Sequence, residues 1–116
     1  MKKASIFFVA IAALASVPVH AADCGQPPLD MPRVPNGATA SADDIRQARD
    51  LVLAYSATVD EFISCMEQRT TLVAPYMTKE QISRRQEDLN DLHNERRDLQ
   101  IQLNEAIRSY RQARQS

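Results

Sequence analysis

Two cysteines are the residues of this 116-residue chain best suited to covalent chemistry. Cys24 follows a segment that is typical of an export signal, and Cys65 lies within a long helical pattern. The sequence contains no other cysteine, so only one intramolecular disulfide can form. Exported proteins meet an oxidising environment, in which a pair of cysteines is normally bonded. We therefore expect a Cys24–Cys65 disulfide, which would leave no free thiol to act as a nucleophile.

Other candidates for catalysis or metal binding are few. His93 is the only histidine after the predicted signal, and we expect an exposed surface residue rather than a metal ligand. Met31, Met66 and Met77 could bind soft copper, but Met66 and Met77 occupy predicted packing positions. The sequence has no glycine-rich phosphate loop, and no spacing singles out a Ser/His/Asp set. We therefore expect neither enzyme activity nor a bound metal or cofactor.

Arginines interrupt the apolar stripe of the second helical pattern, at Arg96 and, nearer its start, at Arg85. One interpretation is that Arg96 extends to water across the edge of the stripe, with its guanidinium over Tyr55. The other is that a polar residue in the stripe fixes helix register or the choice of partner. Exchanging Arg96 for leucine would separate these two interpretations.

A second group of candidate contact residues lies near the C-terminus. Arginines in the last turns complement the helix dipole, and the same surface could also contact an acidic protein or anionic lipid headgroups. The group comprises Arg108, Tyr110, Arg111 and Arg114.

Residues 1–21 have the three parts of a secretory signal. Lys2 and Lys3 supply the positive start, residues 6–14 form an uncharged apolar run, and small or apolar residues fit cleavage after Ala21. The run is too short for a membrane span of about 20 residues. We expect export to a bacterial periplasm, with secretion beyond it as an open alternative.

The chain without this signal has 12 basic and 15 acidic residues, a net charge of −3. A general nucleic-acid binder usually shows a basic excess on one face, so we expect no nucleic-acid partner. The remaining 95 residues are enough for one domain.

Three zones follow the signal. Residues 22–40 hold four prolines and both glycines of the chain, so they should form an extended, polyproline-like strap. Residues 41–69 should form a helix that begins at Ser41 as the N-cap, with acidic residues in its first turn. Apolar residues spaced alternately by three and four give this helix a heptad seam. The seam comprises Ile45, Ala48, Val52, Tyr55, Val59, Phe62 and Met66.

Residues 70–77 form the predicted turn, in which Pro75 should displace Ala74 from helical geometry. Its large apolar side chains, Leu72, Val73, Tyr76 and Met77, are expected to fold back over the helix ends. Residues 78–114 should form a second helix, which begins with a capping box between Thr78 and Gln81. Its stripe comprises Ile82, Arg85, Leu89, Leu92, Arg96, Leu99, Leu103, Ala106, Tyr110 and Ala113.

The predicted fold is all-α: an antiparallel two-helix coiled-coil hairpin over residues 41–116, with the N-terminal strap tied back by the disulfide. The strap can reach, because 17 residues at about 3.1 Å each span about 53 Å, whereas the helix from Ser41 to Cys65 is about 36 Å long. Two helices leave the outer edges of Leu51, Ile63 and Ile101 partly uncovered. We therefore expect two hairpins to pair as a homodimer.

Two family resemblances follow from these residues. The first pattern resembles a group of uncharacterised small exported proteins of Gram-negative bacteria, and it implies the arrangement of strap and disulfide without implying an activity. It covers about 40 residues and comprises Cys24, Pro28, Pro32, Pro35-Asn36-Gly37-Ala38, Ala48, Val52, Tyr55, Phe62 and Cys65. The segment Met77-Thr78-Lys79-Glu80-Gln81 resembles the Leu-Thr-x-x-Gln motif of periplasmic stress chaperones of the Spy type. Met77 replaces the leucine, and one copy is present where that family usually carries two.

These observations favour a non-enzymatic exported hairpin that acts through protein–protein contacts as a structural or adaptor element. One alternative is a small chaperone-like protein of envelope stress, which the second resemblance implies. Another is peripheral binding to an anionic membrane surface through the C-terminal arginines, although membrane contact is not the expectation that we favour.

Overall fold

The computed structural model describes residues 24–115 of the chain. They form two long helices, α1 over Ala42–Val73 and α2 over Lys79–Gln115, joined by a short 3-10 helix over Ala74–Tyr76. No β-strand occurs among the described residues. The predicted all-α helical hairpin is confirmed, whereas the predicted signal peptide at residues 1–21 lies outside the described part of the chain.

The start of α1 is fixed by hydrogen bonds between Ser41 and Asp44. The Asp44 backbone N–H donates to Ser41 Oγ at 3.1 Å, and the Ser41 backbone N–H donates to Asp44 Oδ2 at 3.0 Å. Hydrogen bonding from the Ser41 backbone lowers the pKa of the Asp44 carboxyl, and the Ser41 side chain adds a smaller effect in the same direction. A carboxyl with a lowered pKa stabilises the fold above its unfolded pKa, and this contribution is lost as the pH falls through the folded value.

The end of α1 differs from the prediction, because the helix continues past residue 69 to Val73. The hydroxyls of Thr70 and Thr71 donate to carbonyl oxygens one turn earlier, at 2.8 and 3.1 Å. Threonine side chains bonded in this way remain within the helix instead of competing with it. The pair of threonines therefore does not begin the turn.

The predicted effect of Pro75 on Ala74 is wrong. Ala74 keeps right-handed helical dihedral angles, with φ −51° and ψ −38°, and its N–H donates to the Thr70 carbonyl. A proline is tolerated in the first turn of a helix, and here it lies in the first turn of the 3-10 helix. The expected folding back of the turn is wrong for Leu72 and Tyr76, which are 75% and 89% exposed, whereas Val73 and Met77 are half-buried.

The start of α2 has the predicted capping box. The Gln81 backbone N–H donates to Thr78 Oγ1 at 3.2 Å, and the Thr78 backbone N–H donates to Gln81 Oε1 at 3.0 Å. These two bonds satisfy N–H groups that have no partner within the helix. Capping therefore accounts for the threonine and glutamine of the motif that resembles the Spy-type chaperones.

The core lies between the two helices. Its buried side chains at predicted seam positions are Ile45, Ala48, Val52, Tyr55, Val59, Leu89, Leu92, Leu99, Leu103 and Ala106. Three further seam residues, Phe62, Met66 and Ile82, are half-buried.

The sequence had predicted that Ile63 would lie at a partly uncovered outer edge, but Ile63 is buried. It lies 18 residues after Ile45, which is five full turns at 3.6 residues per turn. A straight helix thus places Ile63 directly in line with Ile45, whereas a strict 3.5-residue seam would prefer Phe62. Leu51 and Ile101 do stay about half exposed, at 48% and 49%.

The strap has no helix between Cys24 and Ala40 and follows α1. The predicted disulfide joins Cys24 to Cys65, whose Cα atoms lie 5.7 Å apart. Further along the strap, the Tyr55 hydroxyl donates to the Pro28 carbonyl at 3.4 Å. Val34 packs against the core cluster. The strap is therefore a third packed element and not a free tail.

The strap also contacts α2, which the sequence had not suggested. A turn at Asn36 presents Gly37, which is buried. A Cβ atom placed on Gly37 would lie 1.8 Å from the carbonyl oxygen of Ala106. Only glycine allows the backbone to approach α2 this closely. The strap therefore bridges the two helices at the end of the hairpin away from the turn.

We expect the disulfide to supply a large part of the stability. Its cysteines are 41 residues apart, and in the chain-entropy model closure of such a loop stabilises the fold by about 4 kcal/mol. The Cys24→Ser/Cys65→Ser variant should show a free energy of unfolding in urea that is lower by about this amount. The oxidised wild-type protein in the same buffer is the reference. A loss smaller than about 1 kcal/mol would show that the strap is held by its other contacts.

A candidate binding groove between the strap and the hairpin

An open groove of about 510 Å³ lies where the strap meets both helices near the turn. Its apolar wall is formed by side chains of α1, α2 and the strap, namely Phe62, Met66, Leu89, Leu92, Pro27 and Leu29. Leu29 is 75% exposed. We call this feature the strap groove.

Charges are unevenly distributed along the strap groove. Arg69 and Arg85 line it near the turn, whereas Asp88, Asp91 and Glu95 line it along α2. The acidic residues lie three, six and ten positions after Arg85, which corresponds to about 5, 9 and 15 Å along the helix axis. The groove is therefore basic at its turn end and acidic along one wall.

Arg85 has poor partners within the described structure. Its Nη1 and Nη2 atoms contact the sulfur atoms of Met77 and Met66, each at 3.9 Å. Its Nε atom is buried and has no hydrogen-bond partner. A thioether sulfur is only a weak acceptor, so the guanidinium is half-buried without an anion to pair with it.

A second depression, of about 400 Å³, is lined by His93, Glu67, Thr70 and Arg85, among others. His93 is half-buried here and not an exposed surface residue as expected. His93 lies four positions after the buried Leu89, so the two residues are neighbours on one side of α2. Arg85 lines both this depression and the strap groove.

Arg96 connects the two helices through an ion pair. Its Nη1 atom lies 2.8 Å from Oδ1 of Asp60, and the two side chains are 30% and 56% exposed. The guanidinium thus pairs with a carboxylate of α1 instead of lying over Tyr55. Its Nε atom is buried without a partner. A pair exposed to this degree contributes about 0–1 kcal/mol.

Tyr55 joins the strap to the core. Burial raises the pKa of its hydroxyl, and the negative charge of Glu95 adds to the effect. A raised pKa means that the folded protein favours the neutral, protonated form of the Tyr55 hydroxyl. This contribution is therefore present at neutral pH and is lost as the pH rises above the ordinary tyrosine pKa of 10.0.

The predicted C-terminal contact residues do not form one cluster. The guanidinium carbon of Arg114 lies 4.5 Å from the centre of the Tyr110 ring, a distance at which a cation–π interaction is favourable. Arg108 and Arg111 are exposed and line a shallow depression with Ile107. Ile107 itself packs against the core cluster.

Among residues 24–115, no group of three or more histidine, cysteine, aspartate or glutamate side chains is arranged to hold a metal ion. Neither described helix is long and apolar enough to cross a membrane. The chain matches no protein-family model, no curated protein and no solved structure.

The sequence pointed to some of this site and not to the rest. Phe62, Met66, Leu89 and Leu92 follow from the seams, and Arg85 was noted as a break in the stripe. The acidic wall was missed, although its spacing from Arg85 by three, six and ten residues is close to one helix face. The contribution of Leu29 could not be predicted, because it depends on the path of the strap.

We expect the Arg96→Leu variant to be as stable as the wild type or more stable by up to about 1 kcal/mol. The substitution removes an ion pair of small value and a buried Nε atom that has no partner, and it adds apolar packing. Thermal unfolding and light scattering would measure stability and mass together. The Asp60→Asn variant, which removes only the ion pair, is the matched control. A destabilised Arg96→Leu protein with a changed mass would instead support a role in register or partner choice.

Proposed function

We propose that the protein is an exported, non-enzymatic helical hairpin that acts through protein–protein contacts, as a structural or adaptor element. The observation that carries this proposal is the strap groove, an open apolar surface with charged rims. Clefts that bind other molecules combine an apolar surface with a few placed polar groups. Protein interfaces likewise have an apolar centre and a polar rim.

Leu29 supports this proposal most directly. Leu29 is 75% exposed and lines the groove together with Phe62 and Met66, which are half-buried. An exposed apolar side chain beside a partly open apolar surface is a feature of interaction sites. The bond from Tyr55 to Pro28 and the packing of Val34 against the core hold the strap on either side of Leu29. This surface is therefore preorganised, which lowers the entropic cost of binding.

We propose that the hairpin packs as an antiparallel coiled coil. Two side-chain contacts between the helices support this arrangement. Near the turn, Met66 of α1 contacts Arg85 of α2, and farther from it Asp60 contacts Arg96. The residue number thus falls along α1 as it rises along α2. The alternating spacing of buried residues from Ile45 to Val59 supports knobs-into-holes packing over that part of α1.

The adaptor proposal can be tested by site-specific photo-crosslinking in the native periplasm. A photoreactive amino acid at Leu29 should give a discrete crosslinked product with a partner protein. Leu53 is the matched control, because it is 53% exposed and lies on α1 but does not line the strap groove. Equal crosslinking from both positions, or none from Leu29, would contradict the proposal.

We also propose that two hairpins pair through the outer faces that carry Leu51 and Ile101. Each of these side chains stays about half exposed, and burying both in a pair of hairpins would remove apolar area from water. Light scattering at micromolar concentration should give the mass of a dimer for the wild type and of a monomer for the Leu51→Glu/Ile101→Glu variant. A wild-type protein with the mass of a monomer would refute the pairing.

A further inference from the structure

We infer that the strap groove binds a peptide segment that carries a carboxylate, and that Arg85 is the residue that pairs with this carboxylate. The inference rests on the proposed binding function of the same groove and specifies the chemistry of the partner.

Arg85 has hydrogen-bonding capacity that the described structure does not use. A guanidinium carries five N–H donors in a planar fork that matches a carboxylate. In the described structure this fork has two sulfur contacts at 3.9 Å, and its buried Nε atom has no partner. Burial of a charged group is unfavourable unless the group is paired. A ligand carboxylate is the group that would satisfy this site best.

Three other arginines of the described chain have a partner within the chain. Arg96 pairs with Asp60 at 2.8 Å, Arg46 pairs with Asp43 at 3.0 Å, and Arg114 lies over the Tyr110 ring. Arg85 is half-buried, like Arg96, yet no described carboxylate lies within ion-pair distance of it. Arg85 therefore lines the groove without an ion pair, whereas Arg96 has one within the chain.

The charges along the groove also favour an acidic residue at Arg85. A carboxylate at Arg85 would lie at the basic turn end, close to Arg69. The carboxylates of Asp88, Asp91 and Glu95 would repel a second acid and attract a basic group farther along α2. Glu95 lies about 15 Å from Arg85 along the helix axis. An extended peptide rises by about 3.3 Å per residue, so its acidic and basic residues should be about four or five positions apart.

The occupant is therefore an extended segment of another protein with an acidic residue, intervening apolar side chains and a basic residue. The apolar side chains would contact the wall that contains Leu29, Phe62 and Leu92. A purely basic or purely apolar segment would leave the Arg85 guanidinium without an anion.

The test is selection from a phage-displayed library of random heptapeptides on the immobilised, disulfide-bonded protein. Three variants are panned in parallel: Arg85→Gln, Arg84→Gln and Leu29→Asp. Arg84 is the matched control, because it is the adjacent arginine of α2, is exposed and does not line the strap groove. Selected peptides are then synthesised with their acidic residue intact or replaced by its amide.

We expect the wild type and Arg84→Gln to select peptides that contain an acidic residue, and Arg85→Gln not to select them. Replacing the acid by its amide should weaken binding to the wild type by about tenfold or more, the size expected for a charge-assisted hydrogen bond. The same replacement should have little effect on binding to Arg85→Gln. The amide comparison uses the wild-type protein and does not depend on the folding of a variant.

Peptides that lack an acid, or that bind equally well with the amide, would overturn the role of Arg85. If Leu29→Asp still weakened their binding, the strap groove would stand as a contact surface. If Arg84→Gln reduced binding as much as Arg85→Gln, the effect would come from net charge and the inference would also fail. The absence of any selected peptide would overturn this inference and count against the proposed function of the groove.

Discussion

Each of two packed helices can bury only one stripe of side chains, and this constraint explains why the strap is needed. The core of the hairpin is a single layer between α1 and α2, in which Val52 and Val59 are almost completely buried. A core of this size offers little apolar burial to offset the entropy lost on folding. The strap adds a third element, and the bond between Cys24 and Cys65 restricts the unfolded chain so that less entropy is lost.

The strap also determines the shape of the surface. Its contact at Gly37 lies against α2, its contact at Pro28 lies against α1, and its end is bonded to Cys65. A segment attached at these points leaves an opening beside Leu29, where the strap groove lies. The groove is thus a product of three elements. Neither helix alone would bring Leu29, Phe62 and Leu92 together.

The sequence predicted the parts of the fold that depend on local chemistry. The N-cap at Ser41 and the capping box at Thr78 follow from residue type and short-range spacing, and the disulfide follows from the presence of only two cysteines. The end of α1 could not be predicted in this way, because threonines favour turns or helices according to how their hydroxyls bond. The burial of Ile63 depended on the difference between 3.5 and 3.6 residues per turn, accumulated over five turns.

The candidate site was harder to predict, for a physical reason. Arg85 was visible as a break in an apolar stripe, but its two methionine contacts depend on the geometry of the turn. The contact between Gly37 and Ala106 likewise joins residues far apart in sequence. Spacing along one helix identifies a face, but it does not identify what a separate extended segment will place upon that face.

The disulfide crosslinks only one part of the described chain. The bond closes a ring that contains the strap and most of α1, whereas the whole of α2 lies outside this ring. A single backbone cut between Cys24 and Cys65 would leave every part of the described chain covalently connected. A cut beside the exposed Tyr76 would separate α2, which would then be held by non-covalent contacts alone, among them the ion pair of Arg96, the contact of Arg85 with Met66 and the contact with Gly37. The turn is therefore the place where the integrity of the hairpin depends on an unbroken backbone.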